Sequence, residues 1–336
     1  MIIWIKFLIC TCIVLFSGRC VAKYGDVIAE KTGLGGLWVG VVLVAIATSL
    51  PEIFTGVGST LFVDAPNLTV GNLFGANKYN LLNIALLDIL HKGPPLLSTL
   101  TSGQLLTAGL SLIPLFIASL GIFLSARLTQ LSIANISLYS ILILVVYLFC
   151  VRIIFKFAKR QQQVLAKEEA LLKYDSIPLS KAYLFYAFAA LAIAGAGIWL
   201  AYIGDEIART FSLSQNFVGS LFLGFSTTLP EISVSLAALR LGAKEMAVAN
   251  MLGSNLFNMV IIFINDVLYR KAPIFKVVSQ EHLLNGFIVF IMTLIVIAGL
   301  VLKPKRKSLG LFSSYSIILV IVFIVGAFLT FSFGIK

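Results

Sequence analysis

Ala47-Thr-Ser-Leu-Pro-Glu-Ile53 and, a little further on, Val70-Gly-Asn-Leu-Phe-Gly-Ala-Asn-Lys-Tyr-Asn80 each return once in the second half of the chain. The first comes back as Ser226-Thr-Thr-Leu-Pro-Glu-Ile232 and the second as Val248-Ala-Asn-Met-Leu-Gly-Ser-Asn-Leu-Phe-Asn258, at offsets of 179 and 178 residues. Two separate motifs that keep one register mark an internal duplication. Asp88 and Asp266 extend it, each eight positions beyond the last asparagine. Chance similarity between apolar segments reproduces Leu, Ile and Val; it does not reproduce Thr, Pro, Glu and Asn.

The motifs sit in a chain of 336 residues that is 60% hydrophobic and only 12% charged, with a mean hydropathy of +1.04. Soluble domains run at about 45–50% apolar and about 25% charged, so a water-soluble fold cannot hide this much apolar surface. Uncharged runs such as Gly103 to Ala126, Leu128 to Val151, Ala182 to Gly204 and Leu283 to Leu302 reach roughly 20 residues each, enough to cross about 30 Å of hydrocarbon as helix. Hydropathy and helix breakers predict helices near 2–18, 34–62, 66–90, 103–126, 129–153, 181–204, 214–240, 243–268, 282–302 and 309–333. Met1 to Phe16 has the length of a signal-peptide core; without a clean small-x-small site after it, we read it as a retained first helix.

The reading is therefore an all-α, multi-pass protein of the cell (inner) membrane, with about ten transmembrane helices in two five-helix repeats. Residues 1–155 form the first repeat, with its motif block near 45–90; 156–180 form a charged loop; 181–336 form the second, with its block near 224–268. One set of alternate loops holds seventeen Lys and Arg and the other seven, which places the central loop in the cytoplasm and both termini outside. An odd number of spans per half makes the repeats inverted, with helices broken at the midplane and the working site at their interface. The net charge of +11 lies between apolar runs rather than in an aromatic-interleaved patch, so it reads as topology and not as nucleic-acid binding.

Glu52 and Glu231 each follow a proline inside an apolar segment. Proline removes a backbone hydrogen bond and kinks the helix. A carboxylate at mid-bilayer costs about 2.5–3.5 kcal/mol on insertion scales, so a duplicated one is a functional candidate. Thr48 and Ser49 share the helical face of Glu52, as Thr227 and Thr228 share that of Glu231. The kinks also release backbone carbonyls, read here near Ala45 and Gly224. Carboxylate, hydroxyl, carbonyl and amide oxygens suit hard cations such as Na⁺ and Ca²⁺. Two histidines and four cysteines without ligand spacing point away from soft metals. The second motif adds Asn72, Asn77 and Asn80 in one half and Asn250, Asn255 and Asn258 in the other. Asn80 and Asn258 are favoured as ligands; Asn72 and Asn250 are either ligands or interhelical hydrogen-bond glue.

These residues resemble the alpha-1 and alpha-2 repeats of sodium/calcium exchangers in the cation/calcium antiporter superfamily. The resemblance covers two blocks of roughly 35–45 residues, and the ten-span layout agrees with it. It implies a central diamond of cation sites at Glu52, Asn80, Glu231 and Asn258, flanked by Thr48, Ser49, Thr227, Thr228 and Ser254. It also implies Na⁺/Ca²⁺ antiport in the bilayer without a cofactor, the cations being substrates, and a first and sixth span that slide over the core. Gly195 and Gly197 would ease that sliding. Three positions depart from the family pattern. Ala76 stands where a Ser is usual, which weakens a flanking sodium site; Asn258 is Asp in some members; and Lys78 is a cation where an apolar residue is usual. Lys78 lies about 200° around the helix from Asn80, so it is either a locally paired, snorkelling lysine or an ammonium that replaces one bound sodium.

A proton-coupled cation antiporter is the nearest alternative, because buried carboxyls can carry protons. An intramembrane enzyme would need a nucleophile with its base, a metal-binding set or an aspartate-rich diphosphate motif, and the sequence offers none. The central loop, with Glu168, Glu169 and Asp175 outnumbered by basic residues, carries no separate calcium-sensing domain.

Overall fold

Residues 1–32, 45–125, 127, 132–160, 177–308 and 310–334 are described by the computed structural model. Among them the chain is helical apart from short connections and one hairpin, Ser132–Ile133 against Ile136–Ser137. The helices are α1 (Ile2–Lys31), α2 (Leu50–Val57, continued by a π-helical stretch at Gly58–Phe62), α3 (Pro66–Leu90), α4 (Ser102–Ser125), α5 (Leu138–Arg160) and α6 (Leu179–Thr210). They continue with α7 (Gln215–Arg240, π-helical at Gly219–Leu223 and broken at Thr228), α8 (Lys244–Leu268), α9 (His282–Leu302) and α10 (Ser314–Gly334).

Eight helices among the described residues are long and apolar enough to cross a membrane. The expected span at 34–62 lies partly outside the described residues. The expected span at 66–90 is present as α3, but Asn72, Asn77, Lys78, Asn80 and Asp88 make it more polar than the eight, and all five are buried. Three helices outrun their apolar stretches: α1 continues from the expected 18 to Lys31, α5 from 153 to Arg160 and α6 from 204 to Thr210; α5 also begins at Leu138 rather than 129, the hairpin at 132–137 standing where its first turns were expected. Tertiary packing carries the extra turns of α1, with Val21 buried and the Tyr24 ring stacked on Phe185 at 5.1 Å.

Burial sorts the helices into a centre and a rim. In α8, 83% of the apolar window is buried, against 22% in α5 and α10, whose outer faces are free for lipid. α3 and α8 cross at the middle, and a single large cluster runs from Val70, Leu73 and Phe74 through Met251, Leu252 and Ile261 to Met292 and Leu319. α1 and α6 pair in a second cluster, in which Ile3, Phe7, Cys10 and Val14 meet Ala196, Leu200, Ile203 and Ile207, and which reaches the core through Leu68 of α3 and Val218 and Leu223 of α7. The pair is tied further by the Lys6–Glu206 ion pair at 3.0 Å and by Cys10 Sγ donating to the Ala196 carbonyl at 3.0 Å.

The duplicated aspartates have matching structural tasks. Asp88 accepts the Leu96 amide at 2.7 Å and the Tyr315 and Ser316 hydroxyls at 2.6 and 2.7 Å. Asp266 accepts the Ile274 amide at 2.6 Å, the Ser137 amide at 2.8 Å and the Ser140 hydroxyl at 2.5 Å. Each caps the amide eight residues on, just past Pro95 or Pro273, and so fixes the chain as it leaves a central helix. The turns that enter those helices also correspond: Asp64 and Gly242, both left-handed, hold equivalent positions. Asp64 is bound by Lys271 at 2.6 Å, and that ammonium holds its carboxyl below the usual range.

Candidate functional site

The two prolines build the site. Pro51 has no N–H for the carbonyl of Ala47, nor Pro230 for that of Ser226, and the backbone turns at Ser49 (ψ 7°) and Thr228 (ψ 0°) before the helix resumes. Glu52 and Glu231 stand in the first turn beyond each break, both fully buried. Neither oxygen of Glu52 has a hydrogen-bond partner, and Glu231 has one, the Ser49 hydroxyl at 3.3 Å on Oε1. One hydroxyl thus serves the carboxylate of the other half, Ser49 on Glu231, while Thr48 and Thr227 reach across to the amides of Asn250 and Asn72.

The central helices complete the ring. Asn80 Oδ1, Asn258 Oδ1 and Ser254 Oγ are buried and unpartnered, like both oxygens of Glu52 and Oε2 of Glu231. Six buried oxygens without a donor are costly in an apolar interior. Five of the six are carboxylate or amide oxygens that can only accept unless protonated, and a set of carboxylate, amide and hydroxyl oxygens of this kind is what a hard cation satisfies.

Of the residues expected at the site, Glu231, Asn80, Asn258, Thr48, Ser49 and Thr227 make hydrogen bonds between the halves, and Glu52 and Ser254 are buried with unpartnered oxygens. Thr228 is turned back into its own helix, donating to the Gly224 carbonyl at 2.8 Å. The Gly224 carbonyl also takes the Thr228 amide, and that of Ala45 takes the Ser49 amide and the Thr48 hydroxyl. The carbonyls deprived of a helical donor by the prolines are thus those of Ala47 and Ser226, each two residues beyond the expected Ala45 and Gly224. Asn72 and Asn250 serve the threonines: Asn72 Oδ1 accepts Thr227 at 3.1 Å, and Asn250 Oδ1 lies 3.4 Å from the Thr48 hydroxyl. Asn250 also donates to the Glu231 carbonyl and the Ser235 hydroxyl. A cavity of about 470 Å³, lined by Arg19, Lys23, Ser233, Ser235 and Arg240 among others, reaches inward to Asn250.

Lys78 faces away from these residues. Its ammonium donates to Asn285 Oδ1 at 2.7 Å, which also accepts Thr330 at 3.0 Å. The locally paired reading fits this geometry. Lys78→Leu is expected to leave the calcium dependence of uptake within about twofold of wild type, because a buried charge held by one neutral amide is dispensable to its neighbours; a changed sodium or calcium dependence in flux titrations would restore the ammonium to the site.

The sequence reading missed Gly18. A Cβ there would stand 2.5 Å from Pro230 Cβ, so α1 lies directly behind the residue that breaks α7. On α6, Gly197 meets Phe54 and Thr55 in the same way, whereas Gly195 has open space around it. Gly18→Val overpacks that contact at a cost of roughly 1–3 kcal/mol and should lower the calcium uptake that the family resemblance implies by about fivefold or more, while Gly195→Val should not. Equal uptake rates in the two variants would remove Gly18 from the working interface.

The model of the family described as "Sodium/calcium exchanger protein" matches residues 2–167 and 180–333. The chain is 26% identical over 264 residues to an Escherichia coli inner membrane protein, YrbG, covering 74% of each. It is 28% identical over 134 residues to mouse sodium/potassium/calcium exchanger 2, covering 37% of this chain and 19% of that one. Among solved structures, the sodium-calcium exchanger NCX_Mj superposes with a TM-score of 0.60 at 20% identity over 97% of both chains. YfkE superposes with a TM-score of 0.65 at 14% identity, covering 98% of this chain and 92% of that one.

Proposed function

Because the chain belongs to the sodium/calcium exchanger protein family, we propose that it is an antiporter that exchanges Na⁺ for Ca²⁺ across the membrane. The observation that carries the reading is the ring of buried, unpartnered oxygens on Glu52, Glu231, Asn80, Asn258 and Ser254. Two carboxylates balance one Ca²⁺ or about two Na⁺, and a shared site that cannot hold both loads couples their opposite movements. No bond is made or broken, and the cations are substrates rather than cofactors.

In this reading the halves are inverted five-helix repeats, the segments at 34–62 and 66–90 complete ten spans, and the termini lie outside. Alternating access comes from α1 and α6 moving together over the core. Their mutual apolar packing and ion pair support motion as one body. Thr48, Ser49 and Thr227 supply flanking oxygens; Thr228 joins them once its hydroxyl leaves the Gly224 carbonyl.

A second reading, with protons as the driving ion, draws on the unpartnered oxygens of Glu52, a setting that suits a carboxyl carrying its own proton. Calcium-45 uptake into sodium-loaded proteoliposomes, beside vesicles with an imposed pH gradient, separates the two. Uptake that requires the outward sodium gradient supports Na⁺/Ca²⁺ exchange; uptake driven by protons alone replaces it with the second reading.

A further inference from the structure

Four asparagines of the second motif form a closed pattern that the cation ligands alone do not explain. Asn77 Nδ2 donates to the Asn255 carbonyl and Asn255 Nδ2 to the Asn77 carbonyl, each at 3.3 Å. Asn77 Oδ1 accepts Asn258 Nδ2 at 2.9 Å, and Asn255 Oδ1 accepts Asn80 Nδ2 at 3.0 Å. Exchanging the halves maps each bond onto its partner. All four side chains are buried, Asn77 and Asn255 being 2% and 3% exposed.

The pattern fixes which way the ligand amides face. A buried primary amide has a donor end and an acceptor end of nearly the same shape, and only its partners decide which end points where. In both Asn80 and Asn258 the NH₂ end is held by the other half and the oxygen is left without a donor. Asn77 and Asn255 can hold those NH₂ ends because their own NH₂ groups are committed to backbone carbonyls, which leaves their side-chain oxygens free to accept.

We propose that Asn77 and Asn255 are positioning residues: each clamps the amide of the opposite half's Asn258 or Asn80 so that its carbonyl oxygen, not its NH₂, faces the cation. This rests on the cation site proposed above. It gives both asparagines of each Asn-x-x-Asn pair a task, one as ligand and one as the clamp for the other half's ligand. A half-chain could not orient its own amide, so the cation site exists only where the halves meet. Without the clamp the Asn258 amide turns and presents hydrogen to the cation, a repulsive contact in place of a ligand.

The test is a double-mutant cycle on the purified full-length protein, read by calcium-45 binding and by the rise in melting temperature on adding Ca²⁺ or Na⁺. Asn77→Leu and Asn258→Leu should each weaken Ca²⁺ binding by about tenfold or more, and the double variant should be within about threefold of Asn258→Leu alone, since a clamp has nothing left to hold. Asn77→Asp keeps an oxygen for Asn258 Nδ2 while losing the bond to Asn255, and should bind Ca²⁺ within about threefold of wild type or more tightly. A purely structural Asn77 predicts otherwise: multiplying losses in the double variant, or Asn77→Asp as weak as Asn77→Leu, and either result overturns the clamp. If Asn77→Leu does not yield folded protein, the mirror cycle of Asn255→Leu with Asn80→Leu reads the same clamp from the other half. A wild-type protein that shows neither cation response would sink the site itself and the clamp with it, whereas a responsive wild type with an additive cycle sinks the clamp alone.

Discussion

Glu52→Gln is expected to abolish the sodium-driven calcium uptake proposed above, lowering the initial rate by about a hundredfold or more. The magnitude follows from charge. With one carboxylate gone, a bound Ca²⁺ keeps an uncompensated positive charge in a buried site, and breaking a buried charge pair typically costs about 3–5 kcal/mol. Glutamine has the shape of glutamate, and neither oxygen of Glu52 holds a hydrogen bond that the change would break, so the helix beyond Pro51 should persist. The melting temperature of the apo protein should stay near that of wild type, because an isosteric side chain fills the same buried space. Glu231→Gln should behave alike. Uptake in either variant within about threefold of wild type, measured at saturating protein incorporation, would remove the carboxylates from the transport cycle.

The opposite profile is expected of the other duplicated acid. Asp88→Ala should destabilise the full-length protein in detergent by about 3–5 kcal/mol, because it strands the Leu96 amide and the Tyr315 and Ser316 hydroxyls in the interior at once. Asp88→Asn retains one acceptor oxygen for Leu96 and Tyr315 and should recover roughly half of that loss. Thermal unfolding followed by size-exclusion chromatography measures both. A melting temperature for Asp88→Ala equal to wild type would show that these hydrogen bonds are replaceable by water.

The contrast between the acids marks how far the sequence could be read. Glu52 and Glu231 were legible because the interior of a membrane makes any carboxylate conspicuous, and a proline beside it twice is not noise. The register of Asp88 and Asp266 was legible too, but not their task, since the partners Tyr315 and Ser137 lie far off in the chain and carry no motif. Lys78 was placed correctly on the far side of its helix by angular position alone, while Asn285, which receives it, belongs to a different span. The extra turns of α1 and α6 escaped because hydropathy sees only each helix's own composition, and those turns are held by each other. Gly18 escaped for the same reason: a glycine in an apolar run says nothing of the proline across from it. At the breaks, the residue types pointed to the right turn of helix, but only the coordinates distinguish carbonyls that a threonine or an amide has claimed from those a proline has released.

Where α3 crosses α7 the backbones themselves touch. A Cβ at Gly75 would stand 2.6 Å from Ser220 Cα, and one at Gly224 would stand 2.8 Å from the carbonyl carbon of Gly75. No side-chain repacking can relieve such a meeting, so every residue larger than glycine is closed to both positions. A lineage carrying this fold can wander freely at outward-facing residues such as Phe116 or Phe188, where one lipid-soluble group replaces another. At Gly75 and Gly224 it has a single allele. Homologues should therefore diverge from the rim inward, and a variant library of this protein should show those two glycines as silent columns, invariant without ever touching an ion.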